Sequence, residues 1–414
     1  MNKHRKSLFY EWNEGEGKKD LRVIEINDET LRDGIQATGI TYPTLEGKLG
    51  ILREIHNLGI NAACIGFPAS GPEMVRDVEA MLKCVKENKW SLDIACAART
   101  VESDIKPIVE LSQKFGIPIG ANIFVGSSPI RQFVEGWNVG HIQQLVERAV
   151  TFAVNHDLSV CFITEDTTRS LPGDLEAIYR TAIRYGARRI CVADTVGYAT
   201  PQGVKKLVGF IKSVVEDTDP DVVIDWHGHN DRGLSLANAL AAVEAGVHRV
   251  HATGLGIGER TGNTSMEQLL MNLKLAGLWD FRTDQLKHYC SAVSEACGVT
   301  VPLNYPIVGS SAFSTATGVH AAAIIKAKKM KDEWLADRIY SSVPAGELGF
   351  EQKIELGPMS GKSNVRYLME KNNIPGNDRV IDDIFNETRR RGNYLTAQEF
   401  ISIFKKYSCR QYKR

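Results

Sequence analysis

The 414-residue sequence predicts an α/β protein, a TIM (β/α)8 barrel followed by small helical C-terminal subdomains. Three observations carry the prediction. Short apolar runs recur, each the length of a buried strand; stretches of helical periodicity separate them; and a glycine followed by a small or branched apolar residue stands where helices hand back to strands. Strand and helix alternating eight times in roughly 260 residues is the pattern of a closed parallel barrel. A doubly wound open sheet shares the alternation, but eight full units with no reversal signal favour closure.

The apolar runs are Val23–Ile26, Ala62–Phe67, Leu92–Ala97, Ile119–Val125, Val160–Ile163, Ile190–Ala193, Val222–Trp226 and Val250–Ala252. After the first, Leu45, Leu49, Leu52, Ile55 and Leu58 fall on one helical face, and Gly59 suits the helix end. After the second, Pro72 can open a helix whose apolar face is Val75, Val78, Leu82 and Val85. After the seventh, Leu236, Leu240 and Val243 do the same before Gly246. The hand-back pairs are Gly59-Ile60, Gly116-Ile117, Gly186-Ala187 and Gly246-Val247. The organisation expected is an N-terminal tail (1–21), the barrel (22–283), a helical linker or first subdomain (284–330) and a second C-terminal subdomain (331–414).

Composition narrows the function classes. Lys plus Arg and Asp plus Glu both number 50, so nothing favours nucleic acid or an anionic membrane surface as a partner. Both ends are locally basic and read as solvated tails. The start lacks the apolar core of a signal peptide, and no run approaches the roughly 18 apolar residues of a membrane helix. Eight single cysteines without a C-x-x-C pair suit free thiols in a reducing compartment, so a cytoplasmic protein is expected.

The stretch Val222-Val-Ile-Asp-Trp-His-Gly-His-Asn-Asp231 concentrates the chemistry. Residues two apart on a strand point the same way, so His227 and His229 aim at one spot where the seventh strand ends. They are either half of a divalent-metal site or two polar residues satisfied by their neighbours. Active sites of such barrels sit at the C-terminal strand ends, and those positions are crowded with charge. The first strand leads into Asp28-Glu-Thr-Leu-Arg-Asp-Gly-Ile-Gln36, the fifth into Glu165-Asp-Thr-Thr-Arg169 and the sixth into Asp194-Thr-Val-Gly-Tyr198. The eighth leads into Gly254-Leu-Gly-Ile-Gly-Glu-Arg-Thr-Gly-Asn263.

These segments resemble the metal-dependent Claisen-type acyltransferases and lyases that include 2-isopropylmalate synthase, homocitrate synthase and 3-hydroxy-3-methylglutaryl-CoA lyase. The matching motifs are Thr30-Leu-Arg-Asp-Gly, Gly66-Phe-Pro68, Glu165-Asp, Asp194-Thr-Val-Gly-Tyr-Ala-Thr-Pro201, His227-Gly-His-Asn-Asp231 and Gly256-Ile-Gly-Glu-Arg-Thr-Gly-Asn263. They fall in order across the whole barrel. Agreement continues in Pro306-Ile-Val-Gly-Ser-Ser-Ala-Phe313, Gly318-Val-His320 and Ser360-Gly-Lys362, which favours the synthase branch.

The resemblance implies a divalent metal ion (Mg, Mn, Zn or Co) held by Asp33, His227 and His229, with Asn263 in or near its shell. It implies acetyl-CoA and a small-molecule 2-oxo acid as substrates, the oxo acid chelating the ion and its carboxylate bonding to Thr195; the alternative for Thr195 is a strand-end cap. Arg32 resembles the arginine that stabilises the developing enolate oxygen; its alternative is a structural partner of Asp28 or Glu29. Gln36 would also contact substrate. Glu165 would work in a proton relay with His320 and Tyr340, the latter pair supplied by a partner subunit, so a homodimer with a shared active site is expected. Apart from the resemblance, His320 is a bland histidine in an alanine-rich helix. The glycines of the strand-eight loop do not have dinucleotide spacing and are expected to let the loop pass close to the metal.

Three positions depart from the family pattern. Cys64 and Ile35 stand where glutamate is usual, and Arg131 stands where histidine is usual. The identity of the oxo acid is therefore open, and Arg131 with Arg99 could recognise a second carboxylate. A reaction running as a lyase predicts a cysteine in the strand-eight loop, where this chain has Gly258-Glu259-Arg260. A non-catalytic metal-binding barrel is the reading from another class, and a biotin-dependent carboxyltransferase is disfavoured. The length does not accommodate a further leucine-regulatory domain, so feedback inhibition through one is not expected.

Overall fold

The computed structural model describes residues 8–10, 12–13, 24–375 and 377–411. Most of the 1–21 tail, Val23 of the first apolar run and the side chain of Cys409 lie outside the described residues. The chain divides into two compact units, residues 1–282 with 288–299, and residues 283–287 with 300–414.

The first unit is a closed eight-stranded parallel barrel. Its strands are β1 (Glu25–Asp28), β2 (Ala62–Cys64), β3 (Asp93–Arg99), β4 (Ile119–Gly126), β5 (Ser159–Glu165), β6 (Arg189–Asp194), β7 (Val223–Gly228) and β8 (Arg249–Ala252). Each pairs with the next, and β8 returns to β1 with Glu25 opposite Arg249 and Asp28 opposite Ala252, which excludes the open sheet. Because strand side chains alternate, one set of positions faces the helices and is apolar, while the other fills the barrel. The filling is unusually polar. Asp225 accepts from Arg189 at 2.6 Å, Arg189 reaches Glu25 at 3.0 Å, and Arg249 joins Glu25 to Asp93 at 2.7 and 2.8 Å.

Helices enter the outer layer through ordinary caps. Helix α1 (Leu45–Leu58) begins with Thr44 accepting from the Gly47 amide and ends at Gly59 in the left-handed region (φ +84°). Its buried face is Ile51, Leu52, Ile55 and Leu58, with Lys48 buried beside them and held by Asp77 at 2.5 Å; Leu45, expected on that face, is exposed. After β2, helix α2 (Pro72–Asn88) buries Val78, Met81, Leu82 and Val85, while Val75 is only half-buried. After β3 and β4 come α3 (Glu102–Phe115), the short α4 (Pro129–Glu135) and α5 (Val139–Asn155). The rest of the layer is α6 (Pro172–Arg184), α7 (Pro201–Glu216), α8 (Ser235–Ala245) and α9 (Met266–Leu275). In α8 the expected Leu236 and Leu240 are only half-buried; Ala239, Ala241 and Ala242 fill the interface instead. Among the described residues no helix is long and apolar enough to cross a membrane. The seven described cysteines are free thiols, all but Cys84 buried.

Helix α10 (Leu286–Cys297) contributes residues 288–297 to the barrel unit. The second unit contains α11 (Gly318–Lys329), α12 (Glu333–Arg338), α13 (Lys362–Lys371), α14 (Asp378–Arg391) and α15 (Ala397–Gln411). It also holds a two-stranded parallel sheet of β9 (Ser314–Thr315) and β10 (Lys353–Ile354), which hydrophobic periodicity does not announce. One core gathers Val365, Met369, Val380, Ile384, Leu395 and Phe400; a smaller one joins Ala321, Ile324, Ile325 and Ile354.

The end of β1, which carries the first rim segment, is fastened from α10. Tyr289 donates to the fully buried Asp28, and its hydroxyl lies 3.0 Å from Thr30 Oγ1, which accepts from the Gly254 amide at 2.9 Å. Burial pushes Asp28 up to about 6, against the pull of the Tyr289 and Thr30 hydrogen bonds. With its folded value above the unfolded one, Asp28 favours folding at low pH, and that contribution is lost as pH rises from about 4 to about 6. Removing a donor to the ionised carboxylate should cost more once it is charged. Tyr289→Phe is expected to destabilise the protein by about 1–3 kcal/mol, and by more at pH 8 than at pH 5, in chemical denaturation at the two pH values.

Candidate metal centre and catalytic cavity

Strand β7 ends by turning His227 and His229 into the barrel mouth, as the two-residue spacing requires. Their Nε2 atoms lie 3.2 Å apart, and Asp33 Oδ2, from the turn after β1, lies 3.2 Å from one and 3.3 Å from the other. All three residues are buried. Donor atoms about 2.1 Å from a common divalent ion stand roughly 3.0–3.4 Å apart, which is the spacing seen here. Asp33 Oδ2 completes no directional hydrogen bond, and neither does the buried Asn263 Oδ1. Buried lone pairs left in this state are costly unless a cation takes them.

Electrostatics prepare the same group. Burial pushes His227 down to about 4, against the pull of Asp33, so the ring is held neutral, the form in which an imidazole could bind a metal ion. Burial acts to raise Asp33, but the Arg32 guanidinium and the two imidazoles hold it well below the usual carboxylate range. Asn263 reaches the rim because the β8 loop folds on itself. A side-chain carbon on Gly262 (φ +86°) would stand 1.9 Å from the Gly256 carbonyl, and one on Gly258 would stand 2.1 Å from Asn263 Nδ2. The glycines therefore let the loop pack against itself and present Asn263. Arg260 then ties the loop to Asp231 at 2.8 Å and to the Thr195 carbonyl at 2.5 Å.

A cavity of about 200 Å³ opens beside the group. Arg32, Asp33, Gln36, Glu165, Thr195, His227 and His229 line it, joined by His251 and Glu259. The remaining wall is Phe67, Ala97, Phe124, Ile163 and Ala193, with Asn122. Arg32 donates to Glu29 at 2.7 Å and stands 3.9 Å from Asp33 Oδ2. Burial pushes Glu165 above the usual glutamate range, with Arg131 and Arg32 pulling it back.

The HMGL-like family profile matches residues 23–292, a span that holds every residue of this cavity. The chain belongs to the HMGL-like family. It is 32% identical over 376 residues to the probable 2-isopropylmalate synthase of Methanopyrus kandleri, covering 89% of this chain and 70% of the relative. It is equally 32% identical over 373 residues to the homocitrate synthase AksA of the same organism, covering 89% of this chain and 88% of the relative. The hydroxymethylglutaryl-CoA lyase structure from Pseudomonas aeruginosa superposes with a TM-score of 0.55 at 18% identity, over 71% of this chain and 96% of that one, a likeness of fold.

Within this HMGL-like barrel, the sequence-derived candidates separate clearly. Asp33, Arg32, Gln36, Glu165, Thr195, His227 and His229 meet at one cavity, while Asn263 is buried outside its lining, its backbone bridged to that of His229. The alternative roles weighed for Arg32 and Thr195 are also realised. Arg32 is paired with Glu29, and Thr195 Oγ1 accepts from the Asp166 amide at 2.8 Å. Arg99 does not line the cavity. Its guanidinium forks onto Asp104 of α3 at 2.7 and 2.9 Å, a local geometry that turns it outward. Arg131 likewise is absent from the wall, reaching Glu135 on its own helix at 3.0 Å, although its charge is felt by Glu165. His320 and Tyr340 lie in the second unit, where their rings stack 4.1 Å apart.

Sequence reasoning weighed Glu29 as a partner of Arg32 but missed Asp225, His251 and Asn122 as cavity or supporting residues. The signal was present for two of them: Asp225 stands two positions before His227, and His251 two after Arg249, in phase with the inward-facing set. Isothermal titration with Mn should show His227→Ala losing affinity by about 100-fold or more, and Asn263→Ala by about 10-fold, with little change in melting temperature.

Proposed function

We propose that the protein is a metal-dependent Claisen-type synthase of the 2-isopropylmalate kind, condensing acetyl-CoA with a 2-oxo acid and hydrolysing the thioester to a 2-substituted malate and CoA. The observation that carries this is the buried Asp33–His227–His229 group opening onto a cavity that also holds Arg32, Thr195 and Glu165. Similarity to named synthases over most of the chain supports it.

A divalent ion held by Asp33, His227 and His229, with Asn263 at hand, would supply Lewis-acid polarisation of the oxo-acid carbonyl. Thr195 is set to hydrogen-bond the acid's carboxylate. Arg32 directs a fixed cation at the oxygen where negative charge develops during enolisation. Glu165, raised toward neutrality and facing the same space, is suited to take the acetyl methyl proton. The balance of the reaction is simple: one carbon–carbon bond forms at the keto carbon, that oxygen is protonated, and water releases CoA as thiol.

The oxo acid's own side chain would meet Phe67, Phe124, Ile163 and the two alanines, and Arg32 is the one lysine or arginine on the wall. That favours an uncharged aliphatic acid over a dicarboxylic one, because a second buried carboxylate would lack a cation. Homocitrate-type chemistry is the competing reading. Proton handling by His320 and Tyr340 from a partner subunit, hence a homodimer, belongs to the same proposal.

Purified protein with Mg or Mn should release free thiol from acetyl-CoA with a branched or straight-chain 2-oxo acid, faster than with a dicarboxylic one. No release with any acid would refute the synthase reading. Glu165→Gln should lower kcat by about 10²–10⁴ with Mn affinity unchanged. The low-pH limb of kcat/KM, rising as Glu165 deprotonates, should move upward in Arg131→Gln because a charge that favours the carboxylate is lost. Mixing Glu165→Gln with His320→Ala protein should restore roughly a quarter of the activity if each site draws on both subunits.

A further inference from the structure

Arg32 does not stand alone at the cavity floor. Its Nε donates to Glu29 Oε2 at 2.7 Å, while Glu29 Oε1 accepts from Asn27 Nδ2 at 2.8 Å and lies 3.3 Å from His251 Nδ1. The far nitrogen of that imidazole faces Asp225 Oδ2 at 3.2 Å, and Asp225 Oδ1 accepts from Arg189 at 2.6 Å. Glu29, His251 and Asp225 are 1%, 3% and 1% exposed. Basic side chains and carboxylates thus alternate along the barrel interior, from Arg189 near its N-terminal end to Arg32 at the rim that holds the cavity.

The arrangement has a geometric and an electrostatic effect. Arginine presents its donors in a rigid planar fork, so fixing Nε onto one carboxylate oxygen fixes the direction of the remaining N–H groups. A guanidinium bonded to an unshared carboxylate would be largely neutralised by it. Here Glu29 is divided between Arg32, Asn27 and His251, which leaves the guanidinium more of its charge for the cavity.

We propose that Glu29 and His251 are positioning residues that orient Arg32 and preserve its charge toward the reacting oxygen. Neither touches substrate; both act through the arginine. The proposal rests on Arg32 serving the reaction described above, but its physical content, the held guanidinium, is separable from it.

Two measurements test it. Nitrogen-15 spectra of arginine-labelled protein, with Arg32→Lys for assignment, should show the Arg32 Nε–H protected from solvent exchange in the native protein. That protection should be lost in Glu29→Gln and weakened at least tenfold in His251→Gln, and its persistence in both would overturn the proposal whatever the enzyme's substrate proves to be. In steady-state kinetics each variant should lose about 10- to 100-fold in kcat, with the oxo-acid KM and Mn affinity within about threefold of native. In the Arg32→Lys background Glu29→Gln should add less than about threefold, because both changes remove one function. Losses that multiply, or that fall on KM or Mn affinity, would mean a structural or metal-supporting role and refute positioning. A native protein that is inactive toward every acid yet shows the protected Nε–H would refute the synthase reading and leave the positioning intact.

Discussion

The site depends on a carboxylate, Asp33, kept ionised inside the protein beside the buried imidazoles of His227 and His229. Isolated, a buried charge of that kind is among the costliest features a fold can carry. Arg32 on one side and His227 and His229 on the other make it tolerable, and a divalent ion would balance it more fully. Much else in the barrel follows from holding these groups in place. The β1 turn is pinned by Tyr289, and the β8 loop is closed on itself with Asn263 bridged to His229.

The polar interior is the second layer of the same solution. A barrel of this size would close readily around branched apolar side chains. Here Glu25, Glu29, Asp225 and His251 share that interior with Arg189 and Arg249, each carboxylate meeting at least one cationic partner or imidazole. Such a network gives little net stability relative to a packed apolar core, but it fixes side-chain direction, that of the Arg32 guanidinium included.

The sequence made the barrel and its rim legible because both follow from short-range rules. Period-two and helical periodicity locate the elements, and strand ends locate the chemistry. His227 and His229 point together because one residue separates them, and that inference needed no tertiary knowledge. Arg99 and Arg131 show where such rules stop. Arg99 ends β3, Arg131 lies in α4, and both carry the right charge, yet Asp104 and Glu135, five and four positions along the chain, compete for them locally. The Glu29–His251 contact joins residues more than 200 positions apart, and His251 and Asp225 meet only because β7 and β8 lie side by side, which no local pattern exposes. The alanines of α8 were overlooked for a similar reason: leucine spacing suggested a face, but close helix approach favours small side chains.

The rim of the barrel is mechanically uneven. On the β8 side the loop is cross-tied by Arg260 to two neighbouring segments, and its glycines pack where no side chain would fit. On the β4 side, α4 buries none of its residues and holds Phe133 and Val134 in the open at 88% and 73% exposure. An element with so little burial opens at low free-energy cost compared with the core strands. The two sides of the mouth therefore differ in stiffness: the β8 loop is held by its cross-ties, and local opening is cheapest in the segment that follows β4.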